Sequence, residues 1–499
     1  MKQTDYLSMN GFQKFIYKLT NGIKNFPSKV VGGCKKVGST VVKGVKALGT
    51  DLKDIGVTFV EGDWMTKVSF LIMGFGSLLR KQFARGIAFL AVEIAYIIYM
   101  ANVGIGYLVD FGTLGTVRTQ KIIDDFGIEV TVYGDNSFFI LLFSLMSIFL
   151  TVGFIFVWRL NVKENRKAEL LLKAGKTLPT TKQDLKSLLD ENFDKTLLAL
   201  PLAGIVIFTV LPIVFMICIA FTNYDAMHQA PAKLFTWVGL ENFLKIFEFG
   251  SSGFGNTFLQ VLGWTLVWAF FATFLNYFLG MGVAMLINRK GIKFKKMWRT
   301  ILVVTIAVPQ FVSLLYIQKM FAADGLVNGV LKDLGWIEKS LPFWENGDWA
   351  RVLIIVINLW IGIPYLMLIA TGLLMNIPAD LYESARIDGA SPWQMFRKIT
   401  LPYMLFVTGP YLLTSFTGNL NNFNVIYLLS GGGPGSDQLV NKAGRTDLLV
   451  TWLYDMTVGS EPDYKMAAVI GIMVFVVVAG ISLIVYSFLP SVKDEEGFQ

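Results

Sequence analysis

Apolar residues fall in eight blocks along the chain, at 86–109, 137–158, 197–222, 257–288, 300–322, 351–376, 403–429 and 466–490. Each reaches the roughly 20 residues that cross a bilayer as a helix. The pattern predicts an all-α polytopic membrane protein with about eight spans. Gly280 and Gly282 near the end of the long fourth block predict that it holds more than one element. The run Val68 to Leu79 is too short to span and reads as interfacial. Residues 1–83 alternate Lys with apolar positions, as in FQKFIYKLTNGIKNF, the pattern of an amphipathic helix lying on an anionic leaflet.

The charges between the blocks give the orientation, because basic loops stay in the cytoplasm. Through Arg85 there are 14 basic and 5 acidic residues; Arg159 to Lys195 has 9 and 6, and Arg289 to Arg299 has 6 and none. These segments are predicted inside. By contrast Asp110 to Asp135 and Asp324 to Asp348 each hold 2 basic and 5 acidic residues, and Asp437 to Lys465 holds 3 and 5. These are predicted outside, which puts both termini in the cytoplasm. No cleavable signal is read before the first span, since the long basic N-terminus lacks a compact apolar core.

Composition agrees with a membrane protein: 54% hydrophobic residues, 16% charged and a mean hydropathy of +0.56. The net charge of +8 follows from the basic inner loops, so nucleic acid is not implied as a partner. Cys34 and Cys218 stand alone, and neither a disulfide framework nor a metal cluster is expected. His228 is the only histidine, which leaves little for hydrolytic or metal chemistry. Gly175-Lys176-Thr177 echoes the end of a phosphate-binding loop, but Leu170 stands where the first glycine is needed. No catalytic constellation is found, so an enzyme is not expected. Glu93 is the notable intramembrane carboxylate, and a helix-to-helix or interfacial contact suits it better than a proton relay. The remaining spans lack the midplane carboxylates that an ion-coupled transporter would use.

Two polar stretches stand out against this background. Asn376 to Pro402 reads as two short capped helices. Pro378 and Asp380 suit the start of the first and Gly389 its end; Ser391, Pro392 and Gln394 suit the start of the second, and Leu401-Pro402 its end. Such a projecting knob fits a partner's cleft. The second stretch is a set of amides within the late spans. Asn358, Gly362 and Tyr365 recur on one helix face, as do Gly418, Asn419 and Asn422, with Asn421 and Asn424 nearby. Amides in hydrocarbon need polar partners. Either they pair with sugar hydroxyls while aromatic rings cover the apolar face of a pyranose, or they bond between helices.

The knob carries a resemblance. Glu383, Ser384, Ala385, Gly389, Ile399, Leu401 and Pro402 are similar to the Glu-Ala-Ala...Gly...Ile-x-Leu-Pro loop of permease subunits in binding-protein-dependent ABC importers. In that family the loop is the coupling helix seated in a groove of the ATPase subunit. The resemblance implies that Glu383 anchors the contact, that Asp388 and Gly389 shape the turn, and that Ala385 allows close approach, while Ser384 stands where the family has its second Ala, a small-for-small change. From about 197 to 490 the motifs AVPQFVS, INLWIGIPY, NLNNF and AGRTDLLVTWLY resemble the larger, MalF-type permease of maltose and maltodextrin importers, a type I importer core. The family's sugar contacts then fall on Ile306, Gln310, Asn358, Ile361, Gly362, Tyr365, Gly418, Asn419 and Asn422. Ile306 and Gln310 replace an aromatic and a serine, and Gly418 replaces an aromatic, so a roomier site for a longer oligosaccharide is implied.

On the same resemblance the chain divides into a basic segment 1–83, two spans and a linker at 84–196, a six-span core at 197–490 and a tail at 491–499. The implied partners are a second, MalG-type permease, two ATPase subunits that bind the ATP and Mg, and an extracytoplasmic sugar-binding protein, in a bacterial cell membrane. The segment 223–256 is too short for a large external domain, so contact with the binding protein would fall on short loops, including Phe235 to Phe247 and Gly431 to Pro434. A galactooligosaccharide or other oligosaccharide would suit the same scaffold.

Overall fold

The computed structural model describes residue 43 and residues 49–250, 253–289 and 291–486; the amphipathic reading of 1–42 and 44–48 and the tail 491–499 lie outside them. The chain forms two compact units, Met1–Phe215 with Ala230–Leu234, and Met216–Gln229 with Phe235–Gln499. Among the described residues seven helices are long and apolar enough to cross a membrane: Phe83–Asp110, Ser137–Lys173, Phe193–Ile219, Phe254–Asn288, Gly347–Leu374, Pro392–Leu420 and Tyr464–Ile484. A bent pair, Lys295–Ala307 and Gln310–Met320, makes an eighth. In chain order these are spans one to eight, the bent pair being span five.

In the first unit, Ser137–Lys173 has 37 residues, about 55 Å of helix and more than a bilayer requires. Its polar end anchors the interfacial run. Two short helices, Trp64–Val68 and Phe75–Leu79, are broken at Gly74, whose φ of +79° and contact with the Gly86 carbonyl leave no room for a side chain. The Arg80 guanidinium meets both oxygens of Asp63 at 2.7 and 2.8 Å and donates to Asn165 at 3.0 Å. Asn161 accepts from the Gly74 amide, and Glu93 accepts from the Met73 amide at 2.8 Å. Glu93 thus ties span one to the interfacial run.

The all-α expectation needs one local amendment. Gln120–Ile123 and Glu129–Val132 pair as an antiparallel hairpin in register Gln120 to Val132. Asp124 closes its turn by accepting from Phe126 and Ile128, with Gly127 at φ +78°. The β-branched residues flanking a polar turn favour strand here, outside any apolar block.

Spans four to eight lie in the second unit. Span four is a single helix, contrary to the expected interruption, with one π turn at Phe271–Leu275. Gly280 serves packing: a Cβ there would stand 2.6 Å from Leu366 Cβ, so its absence lets span six lie close. Trp268, Ile354, Val425, Ile426 and Leu429 are fully buried in the apolar core around these helices. Two expected single helices are broken. Span five turns by 89° after Ala307, because Pro309 has no amide hydrogen and holds Val308 extended. The block 403–429 divides into a helix ending at Leu420 and a second at Phe423–Ser430, since the Asn422 side chain caps the second helix through Val425 N.

Candidate transport site and docking loop

The break in span five opens a cavity of about 390 Å³. Its wall from span five includes Thr305, Ile306, Pro309, Gln310 and Ser313, and its wall from span six Trp360, Ile361, Gly362 and Tyr365. Five expected sugar contacts, Ile306, Gln310, Ile361, Gly362 and Tyr365, therefore meet in one place. The rings of Trp360 and Tyr365 are 58% and 53% exposed, available for stacking, while Gln310, Thr305 and Ser313 offer hydrogen-bonding groups. Pro364 within span six also withholds the amide hydrogen that the Trp360 carbonyl would otherwise accept. Trp360, Thr305 and Ser313 were not singled out by sequence. Trp360 lies off the Asn358–Gly362–Tyr365 face, and it lines the cavity beside the bend in span five.

The other expected contacts stand elsewhere. Asn358 is buried, and its carbonyl accepts from Asn276 Nδ2 at 3.5 Å. Asn419 donates to Thr273 Oγ1 at 3.0 Å and accepts from Asn422 Nδ2 at 3.2 Å, while its carbonyl accepts from Trp268 Nε1. Gly418 has no neighbour near its Cβ direction. Gly418, Asn419 and Asn422 do not share one helical face as their spacing predicts, because the helix ends between them. In this conformation the Asn419 side chain bonds to span four and Asn422 bonds to Asn419, whereas Asn358 meets span four through its backbone carbonyl.

The docking loop has the expected caps. The helix Ala379–Ile387 begins after Pro378, carries Asp380 in its first turn and ends at Asp388 and Gly389, with Gly389 at φ +75°. Ser391 and Gln394 form a reciprocal capping box, Ser391 N donating to Gln394 Oε1 at 2.7 Å and Gln394 N to Ser391 Oγ at 3.3 Å. Tyr382 and Thr400 join the two arms through their hydroxyls at 2.8 Å. Glu383, Ser384, Asp388 and Gly389 are exposed, Ala385 is half-buried, and Ile387 projects at 87% exposure. The expected end at Leu401-Pro402 is corrected. A π turn at Phe396–Thr400 leads straight into the helix Leu401–Leu420, and the turn absorbs the missing Pro402 donor.

The loops expected outside are tied down. In Phe235 to Phe247, Phe235 is buried and Asn242 donates to the Ala220 and Thr222 carbonyls, leaving Leu240, Leu244 and Phe247 exposed. In the loop 431–448, buried Asp447 accepts from Gly444 N and Thr451 Oγ1, each at 2.7 Å. Burial, with a smaller contribution from Asp455, raises its pKa to about 7 against those two bonds. Among the described residues no group of His, Cys, Asp and Glu has the makings of a metal site.

Residues 276–494 match the family model described as binding-protein-dependent transport system inner membrane component. The maltodextrin transport system permease protein MdxF of Bacillus subtilis is 34% identical over 433 residues, covering 85% of this chain and 95% of that one. The galactooligosaccharides transport system permease protein GanP of the same organism is also 34% identical, covering 85% and 97%. The maltose/maltodextrin transport system permease protein MalF of Escherichia coli is 36% identical over 250 residues, covering 49% of this chain and 48% of that one.

Proposed function

The chain belongs to the family of binding-protein-dependent transport system inner membrane components, and from that premise we propose that it carries maltodextrins across a bacterial cell membrane into the cytoplasm. It is a multi-pass membrane permease subunit. In this reading it pairs with a second permease, two ATPase subunits and an extracytoplasmic sugar-binding protein, and both its termini are cytoplasmic. ATP, with Mg, is bound and hydrolysed by the ATPase subunits. The observation that carries the reading is the cavity at the span-five break, where two aromatic rings face Gln310 and two hydroxyl residues. Rings on one side and polar groups on the other match the two-faced chemistry of a pyranose.

The docking loop gives the drive. Asn376 to Pro402 presents Glu383 and Ile387 to the ATPase, and the helix Pro392–Leu420 runs without a break from that loop to the amides at Asn419. Its 29 residues make a lever of about 43 Å. Closure of the ATPases displaces one end of the lever and shifts the amide cluster at the other. Ligand-loaded binding protein and ATP favour the outward-facing state and hydrolysis the inward-facing one, since only differential binding moves such an equilibrium.

A galactooligosaccharide is the second reading, favoured by the equal identity and coverage of the galactooligosaccharide permease. The test is ATP hydrolysis by the reconstituted complex with its cognate binding protein, comparing maltooligosaccharides with galactooligosaccharides. Stimulation by the glucan series alone is expected. Stimulation by the galactose series alone overturns the substrate and leaves the transport mechanism. In the same assay Glu383→Ala is expected to lower stimulated hydrolysis with the permease still inserted; unchanged hydrolysis removes its docking role.

A further inference from the structure

Span four holds none of the expected sugar contacts, yet it places a polar row against spans six and seven, two of the three that carry them. Thr273 meets Asn419, Asn276 meets Asn358 and Gly362, and Tyr277 meets Thr408 through their hydroxyls at 2.9 Å. Asn276 follows directly on the π turn at 271–275, a local departure frequent at functional sites.

Asn276 is 5% exposed. Its Nδ2 makes a long bond of 3.5 Å to the Asn358 carbonyl, and its Oδ1 has no hydrogen-bond partner among the described residues. Most buried amides use both ends, and among the described residues Gln82 and Asn276 are the two whose buried amide oxygen is left unpaired. Asn328, equally buried, donates to the Ala322 and Leu341 carbonyls and accepts from Leu341 N at 2.8 Å. The unfilled acceptor of Asn276 is costly in a low-dielectric interior and calls for a partner that this conformation does not supply. Its position indicates the partner. A Cβ on Gly362 would stand 2.0 Å from Asn276 Nδ2 and 2.8 Å from Oδ1, so the amide occupies the side-chain space of residue 362. Gly362 lines the 390 Å³ cavity. The amide is thus separated from that wall by glycine backbone alone.

We propose that Asn276 is a substrate-contacting residue, its Oδ1 accepting a hydrogen bond from a hydroxyl of the transported oligosaccharide when spans four and six part at Gly362. The inference rests on the sugar-transport reading above. It makes span four a third wall of the site, and it gives Gly362 a purpose, the passage of a neighbouring amide.

The test uses the complete importer trapped with ATP and vanadate, in which radiolabelled maltotriose and galactotriose retained per complex are counted, alongside sugar imported per ATP hydrolysed. Asn276→Leu, similar in volume and without an acceptor, is expected to assemble and to retain at least about tenfold less of the sugar that wild type holds, roughly the effect of one buried hydrogen bond. Asn276→Asp keeps the acceptor and is expected to recover to within about threefold of wild type. Retention by Asn276→Leu within twofold of wild type, equal losses in both variants, or failure of both to assemble each overturns the proposal, the last in favour of packing. Failure of wild type to retain either sugar removes the transport reading itself, and the inference with it.

Discussion

Gly362 matters because it has no side chain. A methyl at that position would sit within 2.0 Å of the Asn276 amide, far inside contact distance, so Gly362→Ala must expel the amide or part the helices. The variant is expected to lose most sugar uptake while remaining in the membrane, as measured by transport in vesicles with the inserted protein quantified. Asn419 and Asn422 act differently, since each bonds to a neighbour in the present conformation. Asn422 also caps a helix, a role whose loss costs about 1 kcal/mol. The double variant Asn419→Ala, Asn422→Ala is expected to impair uptake with assembly preserved. Loss of assembly, read by co-purification of the second permease and the ATPases, would assign the pair to packing alone.

Elements show how far local signals reach. The docking loop's caps were legible because each depends on a few adjacent residues: Gly389 for a left-handed turn, Ser391 and Gln394 for a reciprocal box. The stop at Leu401-Pro402 was misread because the π turn at Phe396–Thr400 just before it carries the helix on to Leu420. The loop 431–448 was read as an outside segment offering Gly431 to Pro434 to the binding protein, and the fold makes it a clasp on buried Asp447. The pKa of Asp447, raised by burial to about 7, has a definite consequence. The folded loop holds a proton that the opened loop releases, so the clasp is fully stable below the ordinary carboxylate pKa and loses stability as pH rises toward about 7. Hydrogen exchange over 444–451, corrected for intrinsic rates, is expected to quicken between pH 5 and pH 8, and Asp447→Asn is expected to flatten that dependence. A flat wild-type profile would show that the carboxyl is already ionised at pH 5.

For the whole molecule, the continuity of Pro392–Leu420 is the feature with mechanical weight. A helix of that length transmits displacement through its hydrogen-bonded ladder, which is interrupted at Pro410 and, nearest the loop, at the π turn Phe396–Thr400. Inserting two glycines there is expected to uncouple the complex, so that ATP hydrolysis persists while sugar imported per ATP falls at least about fivefold, given the helix-destabilising effect of each glycine. Unchanged coupling would place force transmission in another element.

By itself the sequence determined the class of fold, the approximate number and order of spans and the helix caps within 376–402. Those properties follow from block length in a bilayer and from caps built by residues close in the chain. The resemblance added which positions to inspect. Tertiary structure decided which of them meet. Ile306, Gln310 and Tyr365 share a cavity because Pro309 bends span five through 89°, whereas the Asn358 carbonyl and the Asn419 side chain meet residues of span four. The role of Asn276 was illegible for the same reason. An amide's meaning depends on whether both its ends find partners, and partners 82 and 146 residues away are chosen by packing, not by spacing.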